Sequence, residues 1–192
     1  MISVLVIVSI ITYSTVVNLL QENAEEEMTH TVTESLGRFD SIYEQINMVT
    51  KQIITRDGVQ DILLKVEEEE PVSCNERQVL VNDINMIQAN ADGINATEVY
   101  TRDYERIIPI DSMSLVERIP IHWVKQAYDA RGKLIWIGED PFDDNYFLAI
   151  RSVNLMDRSF QHGGYIILRI DRPLFSLANT VGGSEDGYTI LL

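Results

Sequence analysis

The chain has 192 residues, of which 45% are hydrophobic, so it can bury one core of ordinary size and still carry additional segments. Its formal net charge is −15 at pH 7. This balance argues against nucleic acid as a partner, because phosphates require a basic surface, and against charge-driven binding to anionic lipid headgroups. Cys74 is the only cysteine, so no disulfide can form within the chain.

The N-terminus predicts a membrane-spanning signal anchor at residues 1–20. Residues 2–20 carry no charged side chain and are dense in Val, Ile and Leu. At about 1.5 Å per residue, a helix of this length is about enough to cross the hydrocarbon core of a bilayer. A cleaved signal peptide and a buried core helix are the alternatives. A cleaved peptide would have a basic start and small residues before the cut, whereas Glu22 lies just before Ala24 here. We therefore expect a cell-membrane protein whose residues after the span are extracellular.

Residues 21–70 predict a long stalk helix, which ends before Pro71. Apolar residues in it alternate at spacings of three and four, which places them along one face of the helix. This seam consists of Val32, Leu36, Phe39, Tyr43, Ile46 and Ile53. We expect it to pack against the protein's own domain or against the same helix of a second copy, which would make the protein a homodimer.

The segment after the stalk alternates between predicted helices and short strands. Asn75 is expected to cap a helix over residues 76–90, with Val79, Ile84 and Ile87 on its apolar side. Two strands are expected at residues 96–101 and 106–110, and a helix at residues 121–130. Three further strands are expected at residues 135–138, 146–153 and 165–171, because their apolar residues alternate with period two.

Short antiparallel strands are stable only when they pair with one another, so the last three are expected to form a meander with one packed face. Residues 172–181 predict a last helix. Residues 182–192 predict a turn and the start of a further strand, so we expect the sequence to be part of a longer chain.

The segment from Gly132 to Ala178 carries a family resemblance. Its features are Trp136 in one strand, the sequence AIR at residues 149–151 in the next, and GYIIL at residues 164–168 in the third. With these features it resembles the extracellular Cache-type (PAS-like) sensing module of Gram-positive membrane sensor histidine kinases. The resemblance implies an α+β fold, in which a long N-terminal helix precedes an antiparallel sheet with flanking helices. The sensor domain would then cover residues 71–181.

The resemblance also implies a function in two-component signal transduction. Such a domain binds a small ligand or senses the envelope, and passes a shift through its helices to a cytoplasmic output. The expected output is a histidine kinase in the full-length protein. The alternatives are a membrane-tethered transcription regulator or a chemoreceptor with the same sensor.

No enzyme motif is visible in the sequence. Glu139, Asp140, Asp143 and Asp144 could bind Ca²⁺ or act in glycoside hydrolysis, but they flank Pro141 in a turn, where acids are ordinarily solvated. The three histidines are far apart and lack zinc-ligand spacing. We therefore expect no catalytic residue, metal or cofactor in this chain. A membrane-anchored extracellular enzyme is the alternative from another class.

The candidate ligand-binding residues are Trp123, Tyr128, Trp136, Arg151 and Arg169. The resemblance implies a pocket bounded by the sheet, the helix before it and the loop between them. Strand alternation allows both arginines to lie on one face of the sheet, where a guanidinium could hold a ligand carboxylate by two hydrogen bonds. The alternative is that the tryptophans belong to the core and the arginines to the surface. Arg151 would then need an internal partner, for which Asp157 and Asp171 are candidates.

Overall fold

The computed structural model describes residues 2–108 and 113–175, and within it the side chains of residues 2–20, 22, 24 and 25 are not described. The chain divides into two compact units, Met1–Ser41 and Ile42–Leu192. The side chains of the predicted signal anchor, most of the predicted last helix and the predicted strand at residues 188–192 lie outside the description. Within the part that is described, no helix has the length and apolar character needed to cross a membrane.

Three helices form the N-terminal half of the chain: α1 (Ile2–Ile54), α2 (Asp57–Glu67) and α3 (Cys74–Gln88). The prediction of one helix up to residue 70 is wrong at Thr55 and Arg56, where the backbone of Arg56 is extended. The interruption has a packing reason. The separate helix α2 buries its own apolar residues, Val59, Ile62 and Leu63, in the domain core.

Helix α3 begins earlier than its predicted cap. Ser73 is the N-cap, and it forms a capping box in which its hydroxyl accepts from the Glu76 amide while the Glu76 carboxylate accepts from the Ser73 amide. The expected cap, Asn75, therefore lies inside the first turn. The apolar side is also shifted, because α3 buries Leu80 and Ile84, whereas Val79 is exposed.

Five antiparallel strands form one sheet in the order β2-β1-β5-β4-β3. The strands are β1 (Ile94–Thr101), β2 (Arg106–Ile108), β3 (Ile135–Asp140), β4 (Asp143–Leu155) and β5 (Gln161–Asp171). Helices α4 (Leu115–Arg118) and α5 (Ile121–Asp129) lie between β2 and β3 in sequence. The α+β fold and the meander of β3, β4 and β5 are thus confirmed.

The sheet is buried on both faces rather than on one. The face that we call the α1 face shares a hydrophobic cluster with α1, α2 and α3, and its strand residues include Ala149, Val153, Ile166 and Leu168. The opposite face, which we call the α5 face, packs against α4 and α5. Its residues include Leu148, Ile150, Tyr165 and Ile167. Strand alternation produces this division, because successive side chains point to opposite sides of a strand.

The C-terminal end of α1 belongs to the α+β domain. Its buried residues recur every three or four positions and join the cluster of the α1 face: Ile42, Ile46, Val49 and Ile53. The predicted seam is therefore partly correct, since Ile46 and Ile53 pack against the protein's own domain. Val32 and Leu36, earlier in the same helix, are exposed.

Candidate functional site

The two candidate arginines lie on opposite faces of the sheet. In the register of β4 and β5, Arg151 is paired with Ile166 and Arg169 with Leu148. Paired residues point to the same side of a sheet, so Arg151 lies on the α1 face and Arg169 on the α5 face. The prediction that they share a face is wrong. Alternation within each strand allowed it, but only the pairing between strands fixes the relation.

The other three candidates are also divided. Trp136 packs on the α1 face and meets the ring of Phe175 edge-on at 5.4 Å. Trp123 packs beside the core of the α5 face, and Tyr128 is an exposed residue of α5. No single pocket can therefore be lined by all five residues.

A cleft of about 450 Å³ lies on the α5 face, and it is the candidate ligand site. Three parts of the chain line it: the turn between β1 and β2, helix α5, and the start of β5. The lining residues are Arg102, Asp103, Tyr104, Val124, Lys125, Tyr128, Asp129, His162 and Tyr165. Of the candidates from the sequence, only Tyr128 is among them.

Four aromatic rings form a row in this cleft. The ring centroid of Tyr165 lies 6.0 Å from that of Tyr104 and 4.5 Å from that of His162, and Tyr128 meets His162 edge-on at 5.1 Å. Burial raises the pKa of Tyr165, and the nearby Tyr104 and Tyr128 raise it further. The Tyr165 hydroxyl is thus protonated at neutral pH. The cleft offers a ligand aromatic surface together with neutral hydrogen-bonding groups.

His162 is the polar group of the cleft that most needs a partner. Both of its ring nitrogens are buried, and neither has a hydrogen-bond partner among the described residues. Burial lowers the pKa of His162, and the positive charge of Arg102 lowers it further, so the ring is neutral at pH 7. A neutral imidazole has one donor and one acceptor nitrogen. Buried polar groups are normally hydrogen-bonded, so a polar ligand or a water molecule is the expected partner.

Tyr104 is held in the cleft wall by a constrained turn. Its backbone has a φ of +72°, which is unusual for an aromatic residue and costs about 1–3 kcal/mol. The turn is fixed by hydrogen bonds: the Tyr104 amide donates to the Thr101 carbonyl at 3.1 Å, and the Leu115 amide donates to the Tyr104 carbonyl at 2.9 Å. The Thr101 hydroxyl accepts from the amides of Asp103 and Glu105. Backbone strain of this kind concentrates at functional sites.

The rim of the cleft carries balanced charge. Arg102 and Lys125 supply two positive charges, and Asp103 and Asp129 supply two negative charges. Arg102 is also paired with Glu67 of α2. The lining does not impose a strong field of one sign on an entering ligand.

A buried ion network occupies another part of the α5 face. Arg118 of α4 donates to both carboxylate oxygens of Asp140 at 2.7 and 2.6 Å, and through Nε to Glu98 at 3.2 Å. The side chains of Arg106 and Arg169 pair with Glu98 and Asp140, respectively. The expectation of solvated turn acids is therefore wrong for Asp140, which is buried beside Arg118 of α4 and Arg169 of β5.

Arg169 has internal partners on the α5 face. Its guanidinium lies 3.2 Å from Asp140 and 3.2 Å from Asp143, and 4.2 Å from the centre of the Tyr146 ring. These contacts are the interactions that a ligand carboxylate would otherwise supply.

In the described residues, no cluster of three or more potential metal ligands is present.

Arg151 has a hydrogen-bond partner that the sequence did not suggest. It donates to the side-chain oxygen of Asn47 and, at 3.5 Å, to the Asn47 backbone carbonyl. Neither Asp157 nor Asp171 is its partner. The reason is that β4 presents Arg151 to α1, whereas Asp171 is paired with Tyr146 on the opposite face of the sheet and Asp157 lies after the end of β4.

Comparison with known proteins gives no family assignment. No protein-family model matches this chain, and no curated protein matches it. Function is therefore inferred from the chain's own residues and geometry.

Proposed function

We propose that this chain is the extracellular signal-sensing part of a membrane sensor histidine kinase. The domain binds a small ligand in the cleft on the α5 face and relays the change through its helices to a cytoplasmic output. The same sensor on a membrane-tethered transcription regulator or a chemoreceptor would bind its ligand in the same way.

The observation that carries the proposal is the imidazole of His162 in an aromatic cleft, which has no hydrogen-bond partner among the described residues. A cleft lined by three tyrosines already provides apolar contact area, and His162 adds a donor and an acceptor that no described residue uses. The architecture adds support, since an antiparallel sheet preceded by a long helix is what the Cache resemblance implies.

The position of β4 supports the relay. On the α5 face its residues Leu148 and Ile150 share a cluster with Val124 and Ala127 of α5. On the α1 face the same strand donates hydrogen bonds from Arg151 to α1. A change at the cleft would therefore reach α1 through a single strand.

Ligand binding is tested by thermal unfolding of the purified chain against a panel of amino acids, amines, organic acids and sugars. A compound that binds only the folded state stabilises it by about 2.7 kcal/mol at a hundredfold excess over its Kd. We expect Tyr128→Ala to abolish the shift in Tm. The matched control is Phe160→Ala, which removes an exposed ring outside the cleft lining. A panel without any stabilising compound, or a Tyr128→Ala variant with the full response, would contradict ligand sensing in this cleft.

Extracellular location is tested through the native thiol. Cys74 is exposed, so a membrane-impermeant maleimide should label it in intact cells. The Cys74→Ser variant is the control for background labelling. If Cys74 is labelled only after the cells are lysed, the proposed topology is wrong.

A further inference from the structure

Arg151 brings a positive charge into an apolar helix–sheet contact. Its side chain is only 1% exposed, and it lies on the face whose core contains Ile46, Val49 and Ile166. Arginine is rarely buried without a carboxylate, because an unpaired charge in an apolar environment is costly. In the described part of the chain, the hydrogen bonds of Arg151 go to Asn47 alone, and its Nε has no partner.

Helix α1 also carries a hydrogen-bonding side chain one turn before and one turn after Asn47. Tyr43 precedes Asn47 by four residues, and Thr50 follows it by three, so all three lie along one side of the helix. Thr50 is fully buried, and its hydroxyl donates to the Asn47 carbonyl at 2.9 Å. Burial lowers the pKa of Arg151, and the nearby Tyr43 opposes this shift.

The apolar residues of α1 have the same period. Ile42, Ile46, Val49 and Ile53 recur at spacings of four, three and four, next to the row of polar residues. A shift by one turn would therefore replace three of these four apolar contacts by similar ones. Packed interfaces of this kind change in discrete steps, because at intermediate positions the side chains of the helix would clash with those of the sheet.

The geometry points to Arg151 as a positioning residue that holds α1 on the sheet at discrete positions one helical turn apart. Asn47 is its acceptor in the structure, and Tyr43 or Thr50 would be its acceptor after a shift of about 5.4 Å along the helix axis. Between these positions the guanidinium would face apolar side chains without an acceptor. The regulatory meaning of the shift rests on the proposed sensing function, because a ligand in the cleft would act on α1 through β4.

The position of α1 can be measured without any ligand. Nitroxide labels at Lys51→Cys on α1 and Asn145→Cys on β4, in a Cys74→Ser background, report the distance between the helix and the sheet by double electron–electron resonance. All three substituted residues are exposed. The full chain is used, purified in detergent.

Asn47→Leu removes the side-chain acceptor, and we expect the distance to change by several ångströms, up to about 5.4 Å. Asn47→Leu combined with Arg151→Met should restore the original distance, since no charge then demands an acceptor. Adding Tyr43→Phe and Thr50→Val to Asn47→Leu should remove the shifted population. Gln52→Leu, at an exposed position of α1, is the matched control and should leave the distance unchanged.

An unchanged distance in folded Asn47→Leu would overturn the proposal, because apolar packing alone would then set the helix position. If Asn47→Leu does not fold, the combination with Arg151→Met decides. A folded double variant with the original distance supports the proposal, and an unfolded one overturns it. These results do not depend on ligand binding, so the proposed function and this inference can fail separately.

Discussion

Replacing Arg118 by Met tests whether the buried ion network stabilises the domain. Arg118, Glu98 and Asp140 are each 4% exposed. In the wild type Arg118 makes two hydrogen bonds to Asp140 and also donates to Glu98. Methionine is a flexible side chain that can fill much of the vacated space, so the substitution chiefly removes the charge and its hydrogen bonds.

Breaking a buried ion pair by removing one partner costs roughly 3–5 kcal/mol, because the remaining charge is left uncompensated. Here each carboxylate keeps a second arginine: Glu98 keeps Arg106, and Asp140 keeps Arg169. The lower end of the range is therefore expected, about 3 kcal/mol. For a chain of this size 1 kcal/mol corresponds to roughly 2–4 °C in Tm, so the midpoint should fall by roughly 6–12 °C.

The assay is thermal unfolding followed by circular dichroism at pH 7. The matched control is Arg158→Met, which breaks an ion pair with Glu68 in which the side chains are 47% and 39% exposed. Solvent screens such a pair, and its loss should cost less than about 1 kcal/mol. If Arg118→Met and Arg158→Met lower Tm equally, the argument from burial is refuted.

Substitutions at two glycines, two apolar positions and one carboxylate test other parts of the structure. Gly164→Ala should lower the free energy of unfolding by roughly 1–3 kcal/mol, since its Cβ would lie 2.3 Å from a backbone oxygen of β1. In Gly37→Ala the added Cβ has no atom of the described residues within 4 Å, so the substitution should stabilise the helix by up to about 1 kcal/mol. Urea unfolding measures both variants, and an equal change in the free energy of unfolding would contradict the difference in packing. Ile46→Lys should prevent folding, because Ile46 is 1% exposed, whereas Leu36→Lys, at a 54% exposed position, should preserve Tm but weaken self-association in sedimentation experiments. Unchanged association would count against the dimer seam. Burial alone would raise the pKa of Asp140, but hydrogen bonds and neighbouring guanidinium groups lower it. Ionised Asp140 therefore stabilises the folded state above its unfolded pKa of about 4, and this stabilisation is lost as the pH falls through its folded pKa. Asp140→Asn removes this titration, so it should flatten the acid side of a curve of Tm against pH.

The strands were predictable because their signal is local. Alternating apolar residues in β4 and β5 and the turn residues between them specify an antiparallel meander without reference to distant parts of the chain. The capping box at Ser73 was equally local, as Ser-x-x-Glu before a helix, and could have been found from the sequence. The interruption at Thr55 and Arg56 was harder to see, since neither residue is Gly or Pro.

The site depends on contacts that cross long stretches of sequence. The cleft joins Tyr104, Tyr128 and His162 from a turn, a helix and a strand, and no spacing rule relates them. The positive φ of Tyr104 has no cue in the sequence around it, because the turn contains no Gly or Asn. The burial of Asp140 likewise depends on Arg118, 22 residues away. Sequence patterns could place these residues on elements but could not bring them together.

The absence of a described carboxylate beside Arg151 has a functional interpretation, which Asn47→Asp tests. A ligand can shift an equilibrium only by the difference in its affinity for the two states, so two positions of α1 must be close in free energy. Neutral acceptors at Tyr43, Asn47 and Thr50 satisfy this condition, whereas a carboxylate at one of them would hold the guanidinium there by a stronger, charge-assisted bond. We therefore expect Asn47→Asp to raise Tm and to narrow the distance distribution between α1 and β4 around its wild-type value. A lower Tm with a broadened distribution would show that a carboxylate at position 47 does not strengthen the contact with Arg151. That result would contradict the proposal that Arg151 positions α1.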